Sequence, residues 1–102
     1  MLEKFTIVIP TFNNVNYLML CIESILKNSS TTHQLIVHIN GLDQATEFFL
    51  NKKKILYTKT NSNVGLCSGV NLAANKAKTN YILYAHDDMY FLPNWDVKLD
   101  EE

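Results

Sequence analysis

Two adjacent carboxylates, Asp87 and Asp88, close an apolar run, Tyr81-Ile82-Leu83-Tyr84-Ala85. Five β-favouring residues with few polar atoms are expected to form a strand covered on both faces. Acidic residues at the carboxyl end of such a strand stand where open α/β sheets hold their ligands. Two carboxylates there can share a hard cation such as Mg²⁺ or Mn²⁺, which needs only one or two protein oxygens when substrate phosphates supply the rest. Asp also forms turns and caps helices, and on this stretch alone the two readings weigh equally. A second polar cluster, Thr11-Phe12-Asn13, follows another apolar run, Phe5 to Ile9. Its aromatic ring has no strand to sit in.

The elements that would position these groups alternate along the chain. Phe5 to Ile9 reads as a buried strand ended by Pro10, which cannot donate to a sheet ladder. From Val15 the period changes, and Val15, Leu18, Met19, Ile22, Ile25 and Leu26 form the stripe of an amphipathic helix. A second strand is expected from Gln34 to Ile39, with Leu35, Val37 and Ile39 on one face and Ile36 and His38 on the other. Asn40-Gly41 ends it. A short helix over Gln44 to Asn51 is expected to bury Ala45, Phe48 and Phe49, and a third strand runs from Ile55 to Thr58. The polar segment Asn61-Ser62-Asn63-Val64-Gly65 leads into a helix from Leu66 to Lys78, with Asn71 and Asn75 off its apolar stripe. After the carboxylates, Leu92-Pro93-Asn94-Trp95-Asp96 reads as a turn into a final short helix.

Four strands alternating with helices predict an α/β fold, a Rossmann-like doubly wound and mostly parallel sheet with right-handed crossovers and strand order 3-2-1-4. The order reverses between the first and fourth strands, so a crevice is expected at their carboxyl ends. Thr11, Phe12 and Asn13 would meet His86, Asp87 and Asp88 there, flanked by Asn40 and Gly41. That convergence favours a site over simple turn formation.

Composition narrows the class. A chain of 102 residues with 47% hydrophobic and 19% charged residues is one ordinary globular domain. A formal net charge of −1 supplies no field for nucleic acid or an anionic membrane. No apolar span is long enough for a transmembrane helix, and the amino terminus does not read as a signal peptide. Cys21 and Cys67 lie far apart without metal-type spacing and are expected to be buried free thiols of a cytoplasmic protein. His33 is expected at the surface and His38 in sheet packing. Asp96 reads as part of an acidic helical and terminal surface, and Trp95 as core.

No Gly-x-Gly-x-x-Gly follows the first strand and no Gly-Lys-Ser/Thr loop is present. The chain nevertheless resembles the nucleotide-sugar-binding half of the inverting family-2 glycosyltransferases, whose fold is called GT-A. The stretches that carry the resemblance are TIVIPTFNN, LIVHING, NSNVGLCSGVNLAANKAKTNYILYAHDDM and LPNW, in order and nearly end to end. It implies a nucleoside diphosphate sugar of the UDP or GDP type as donor, with Mn²⁺ or Mg²⁺ as cofactor. Thr11, Phe12 and Asn13 would line the nucleoside pocket, Asn63, Gly65 and Asn71 would lie beside the nucleotide, Asp87 would approach the ribose or diphosphate, and Asp88 would hold the cation.

Three departures stand out. The family's Asp-x-Asp triplet falls on His86-Asp87-Asp88, so its first acid is missing. The second strand of the family commonly ends in an acid that reads the base, whereas here Asn40 stands. The family is also usually more than twice this length, its later half supplying the acceptor site and the general base. Residues 1–102 are thus expected to be a single donor-binding domain, cut off before the acceptor half, with no catalytic base identifiable after Asp88. Rival readings are a non-catalytic nucleotide-binding or assembly module and a nucleotidyltransferase-like domain, the latter weakened by a first loop without a basic residue.

Overall fold

Strands β1 (Phe5–Thr11), β2 (Gln34–Asn40), β3 (Leu56–Thr60) and β4 (Tyr81–Tyr84) alternate with helices α1 (Val15–Asn28), α2 (Gln44–Lys53) and α3 (Leu66–Ala74). All pairings are parallel and the sheet order is β3-β2-β1-β4, as the alternation of patterns predicts. The computed structural model describes residues 5–97. The expected last helix begins at Trp95, and residues 98–102 lie outside the described part. No helix among the described residues is long and apolar enough to cross a membrane.

The β-branched run Thr6 to Ile9 makes β1 the central strand, buried from Thr6 to Thr11. Ile7 and Ile9 join Val37 and Ile39 of β2 in the main core, beneath Leu18, Cys21, Ile22 and Ile25 of α1 and Phe49 and Leu50 of α2. Val8 and Ile36 point to the other face, where Ala73 of α3 packs with Val70 and Ala77.

Several boundaries and faces differ from the sequence expectation. Pro10 does not end β1, which continues to Thr11 with Pro10 opposite His38. Val8 C=O accepts from Ala85 N–H, so the backbone groups of Val8, and by the two-residue period those of Pro10, face the β4 side. The β4 ladder has already ended there, so the missing N–H breaks no pair. In α1 the buried stripe rotates to include Ser24 and Asn28, and Leu26 is exposed. In α2 the buried residues are Thr46, Phe49 and Leu50, whereas Ala45 and Phe48 face solvent. Asp43 caps this helix through the Thr46 N–H and hydroxyl, which turns Thr46 inward, and positions 49 and 50 follow on the same face. Helix α3 stops at Ala74, four residues before Lys78. The Lys78 N–H donates to Gln34 Oε1 and Thr79 bonds Thr6, so the chain must turn back toward the start of β1.

The largest difference is β4. It is an edge strand, and Tyr81, Ile82 and Tyr84 are exposed. Helix α3 lies over β1 and β2, so only Leu83 of this strand reaches the main core. An apolar run here marks an edge with one uncovered face.

The chain after β4 is stitched to the end of α1 by polar groups. Phe91 N–H donates to Ser24 Oγ and Phe91 C=O accepts from Asn28 Nδ2, at 2.9 and 2.7 Å. Trp95 packs edge-on against Phe91, as expected of a core residue, and its Nε1–H donates to Ser29 Oγ. Asp96 is 1% exposed and accepts from the Ser30 and Thr31 N–H groups and from His33 Nε2–H at 2.7 Å. Neither Asp96 nor His33 belongs to the surface, because each supplies the other's buried partner.

Burial alone would push the Asp96 carboxyl up, but the Ser30 amide, the His33 imidazole and the Thr31 amide together hold it well below the usual carboxylate range. A depressed folded-state pKa stabilises the fold above the unfolded value of about 3.9, and the contribution is lost as pH falls through the folded value. Asp96→Asn should destabilise the domain by about 1.5–3 kcal/mol at neutral pH, the range for hydrogen bonds to a charged group. Urea unfolding across pH checks this: the deficit should hold steady from neutral pH down to about 5 and narrow below about 4. A deficit that does not change with pH would contradict the assignment.

Candidate functional site

β1 runs three residues beyond its last pairing with β4, which stops at Val8 opposite Tyr84. The two chains diverge from there and leave a crevice of about 360 Å³ at their carboxyl ends. Thr11 bridges the gap, its hydroxyl donating to Asp87 Oδ2 at 2.8 Å. That bond joins groups 76 residues apart and fixes one carboxylate oxygen. Asp87 is half-buried; Asp88 is exposed on the same turn, which Met89 N–H closes onto His86 C=O.

The opposite wall comes from β2 and the segment before α3. Gly41 follows β2 with φ of +102°, a conformation that favours glycine, and the ring of Phe12 packs beside it. Phe12 itself is 52% exposed, so its ring is available to a ligand. Asn63 Oδ1 accepts from Gly65 N–H at 2.8 Å and shapes the turn into α3.

Of the sequence-derived site residues, the structure brings Thr11, Phe12, Asn40, Asn63, Gly65 and Asp87 to this one crevice, with His86 beside them. It does not bring Asn13, which adopts φ of +47° and lines a separate hollow with Asp43. Asn71 is exposed on α3 outside the crevice lining, and Asp88 stands next to the lining rather than in it. Among the described residues no group of three His, Cys, Asp or Glu side chains could by itself hold a metal ion. His38 was not expected to have any role at the site, yet it bonds Asn40 at 3.1 Å. The alternation His38-x-Asn40 on one strand face was the available signal.

Cys21 lies beneath the carboxylate turn, its thiol donating to His86 C=O. Burial, and then the negative charges of Asp87 and Asp88, push its pKa up to about 12. Both cysteines are free as expected, but Cys67 is exposed rather than buried.

This architecture is that of an open, Rossmann-like α/β domain with a polar crevice at the point where strand order reverses. Residues 6–100 match the family model described as Glycosyl transferase family 2, and the chain belongs to that family. It is 29% identical over 91 residues to the Streptococcus pneumoniae serotype 4 glycosyltransferase GlyA, covering 84% of this chain and 13% of GlyA. It is 28% identical over 95 residues to an uncharacterized glycosyltransferase of Rickettsia bellii, covering 89% of this chain and 14% of the relative. Among solved structures, S. aureus TarS 1-349 superposes with a TM-score of 0.78 at 20% identity, over 97% of this chain and 31% of that one. The same TarS fragment in complex with UDP gives 0.77 at 20% identity, with the same coverage. The chain therefore spans about a seventh of these curated relatives and about a third of the TarS fragment.

Thiol labelling tests the placement of the two cysteines. In the folded protein a thiol-reactive probe at mildly alkaline pH should modify Cys67 promptly and leave Cys21 intact until denaturant is added. Prompt labelling of Cys21 in a Cys67→Ser background would show that the carboxylate turn does not cover it.

Proposed function

We propose that this chain forms the donor side of an inverting glycosyltransferase, holding a nucleoside diphosphate sugar in the crevice between the ends of β1 and β4. The observation that carries this reading is the convergence of Thr11, Phe12, Asn40, Asn63 and Asp87 from well-separated segments on one hollow. Family membership supports it, as does the UDP bound by a structural neighbour. Phe12 offers its exposed ring to the base, and Asp87, pinned by Thr11, accepts from ribose hydroxyls. Gly65 lets the chain pass close beside the nucleotide. Asn13 and Asn71 stand outside the lining.

The donor set of Asp88 and Asp87 is hard oxygen, which suits Mg²⁺ or Mn²⁺ completed by diphosphate oxygens. When bound, such a cation would neutralise charge on the leaving diphosphate. Thr11 occupies one oxygen of Asp87, so the exposed Asp88 would be the principal ligand. Transfer also needs a base within reach of the acceptor hydroxyl, and none of the residues gathered in the crevice is assigned to that role. Two unpaired cysteines, one of them exposed, fit a cytoplasmic setting.

Calorimetric titration with UDP, GDP and their sugars, with and without Mn²⁺, tests the reading; saturable, Mn²⁺-strengthened binding is expected, and its absence for every nucleotide would overturn it. Asp88→Asn should abolish the Mn²⁺ dependence with little change in melting temperature, while Asp87→Asn should weaken binding with a smaller metal effect. Phe12→Ala should weaken nucleotide binding by roughly 1–3 kcal/mol, the range for a lost base–aromatic contact. Because the ring is half in solvent, its truncation should cost the fold less than the 3–5 kcal/mol or so typical of a core Phe. A stability loss of that size with unchanged affinity would make Phe12 a packing residue.

A further inference from the structure

His38 and Asn40 occupy alternate positions of β2, on the face that carries α3. His38 is fully buried, and Asn40 is 5% exposed where it meets the crevice. Helix α3 rests directly on the pair: a Cβ added to Gly69 would come within 2.8 Å of the His38 ring and 3.1 Å of Asn40 Nδ2.

The contacts of the two side chains determine one another. The Val64 N–H donates to Asn40 Oδ1, and Asn40 Nδ2 donates to the Gly65 carbonyl, both at 3.4 Å. A flipped amide would set oxygen against a carbonyl and nitrogen against an N–H, losing both bonds. With the amide so oriented, His38 Nε2 at 3.1 Å from Oδ1 must carry the proton. His38 Nδ1 then accepts from the Thr58 hydroxyl at 2.7 Å. Burial pushes the His38 pKa down, in keeping with a neutral ring.

An amide oxygen accepts two hydrogen bonds and its nitrogen donates two. Both places on Oδ1 are filled, by His38 and Val64, whereas Nδ2 has given only one, to Gly65. We infer that His38 is a positioning residue that fixes Asn40 as a hydrogen-bond donor toward the crevice, so that a pyrimidine nucleotide is met there through its C2 carbonyl and not through an N3–H. This rests on the nucleotide reading above. Uracil and cytosine share the C2 carbonyl, and only uracil carries an N3–H. A buried acceptor built for that N–H would reject cytosine by being left unpaired. A donor to that shared C2 carbonyl has no such ground for telling the two bases apart.

Two measurements decide it. Nitrogen-15 NMR of the native protein should find His38 in the neutral, Nε2-protonated tautomer, and an Nδ1-protonated ring would overturn the inference without any nucleotide present. Titration with UDP and CDP in Mn²⁺ should give affinities within about threefold of each other, since no buried acceptor discriminates between them. Asn40→Asp replaces the donor by an acceptor and should favour UDP by about tenfold or more. His38→Phe frees the amide to rotate and should move the ratio toward UDP, which a purely structural loss, weakening both nucleotides alike, would not do. A strong UDP preference in the native protein, or an unchanged ratio in both variants, overturns the inference alone. Failure of both nucleotides to bind overturns it together with the reading on which it rests.

Discussion

The parallel pairing of β1 with β4 ends at Val8 and Tyr84, while the pairing of β1 with β2 continues to Thr11 and Ile39. This early end on one side sets the rest of the chemistry. Beyond it the central strand has a partner on one flank only, and the backbone after β4 is free to leave the sheet plane as the Asp87-Asp88 turn. A crevice opens between the diverging chains, and the Thr11–Asp87 hydrogen bond spans it. Pro10 sits where β1 no longer has a partner on the β4 side, so its missing donor is without consequence.

A turn carrying two adjacent carboxylates repels itself and has little apolar surface of its own. It is held in place from outside. Upstream, Ala85 N–H bonds Val8 C=O, and Ala85 is buried in the main core. Downstream, Ser24, Asn28 and Ser29 of the α1 end receive the backbone and side chains of Phe91 and Trp95, and Asp96 satisfies the first amides after α1. These buried polar bonds join segments more than sixty residues apart. Each would be costly if left single, so the anchor forms as a unit with the core. The carboxylates themselves stay at the surface, where charge is cheapest to keep and a ligand can reach it.

On the opposite wall the same economy of buried polar groups serves orientation. His38, Asn40 and Thr58 satisfy one another within the β2–β3 part of the sheet, and Gly69 lets α3 close over them. The wall that faces Phe12 is therefore neutral, while the opposite wall carries the acids of the Asp87-Asp88 turn.

The element types, the parallel order and the place of the crevice are legible in the sequence, because these follow from apolar periodicity and from the handedness of β-α-β connections. The sequence also marked Thr11, Phe12, Asn40, Asn63, Gly65 and Asp87, through residue types that suit loops at strand ends and through the family's motifs. What it could not supply was phase and partnership. Phe48 and Leu26 read as core until α1 and α2 are docked, since a stripe's centre shifts by one residue when polar groups such as Ser24 and Thr46 find buried partners. The run at β4 reads as doubly buried because an apolar sequence does not state its neighbours, and only the sheet order makes it an edge. Asp96, His33 and His38 look like ordinary surface or packing residues. Their roles rest on partners distant along the chain or on the exact direction of an amide, and such contacts exist only once the tertiary structure brings the groups together.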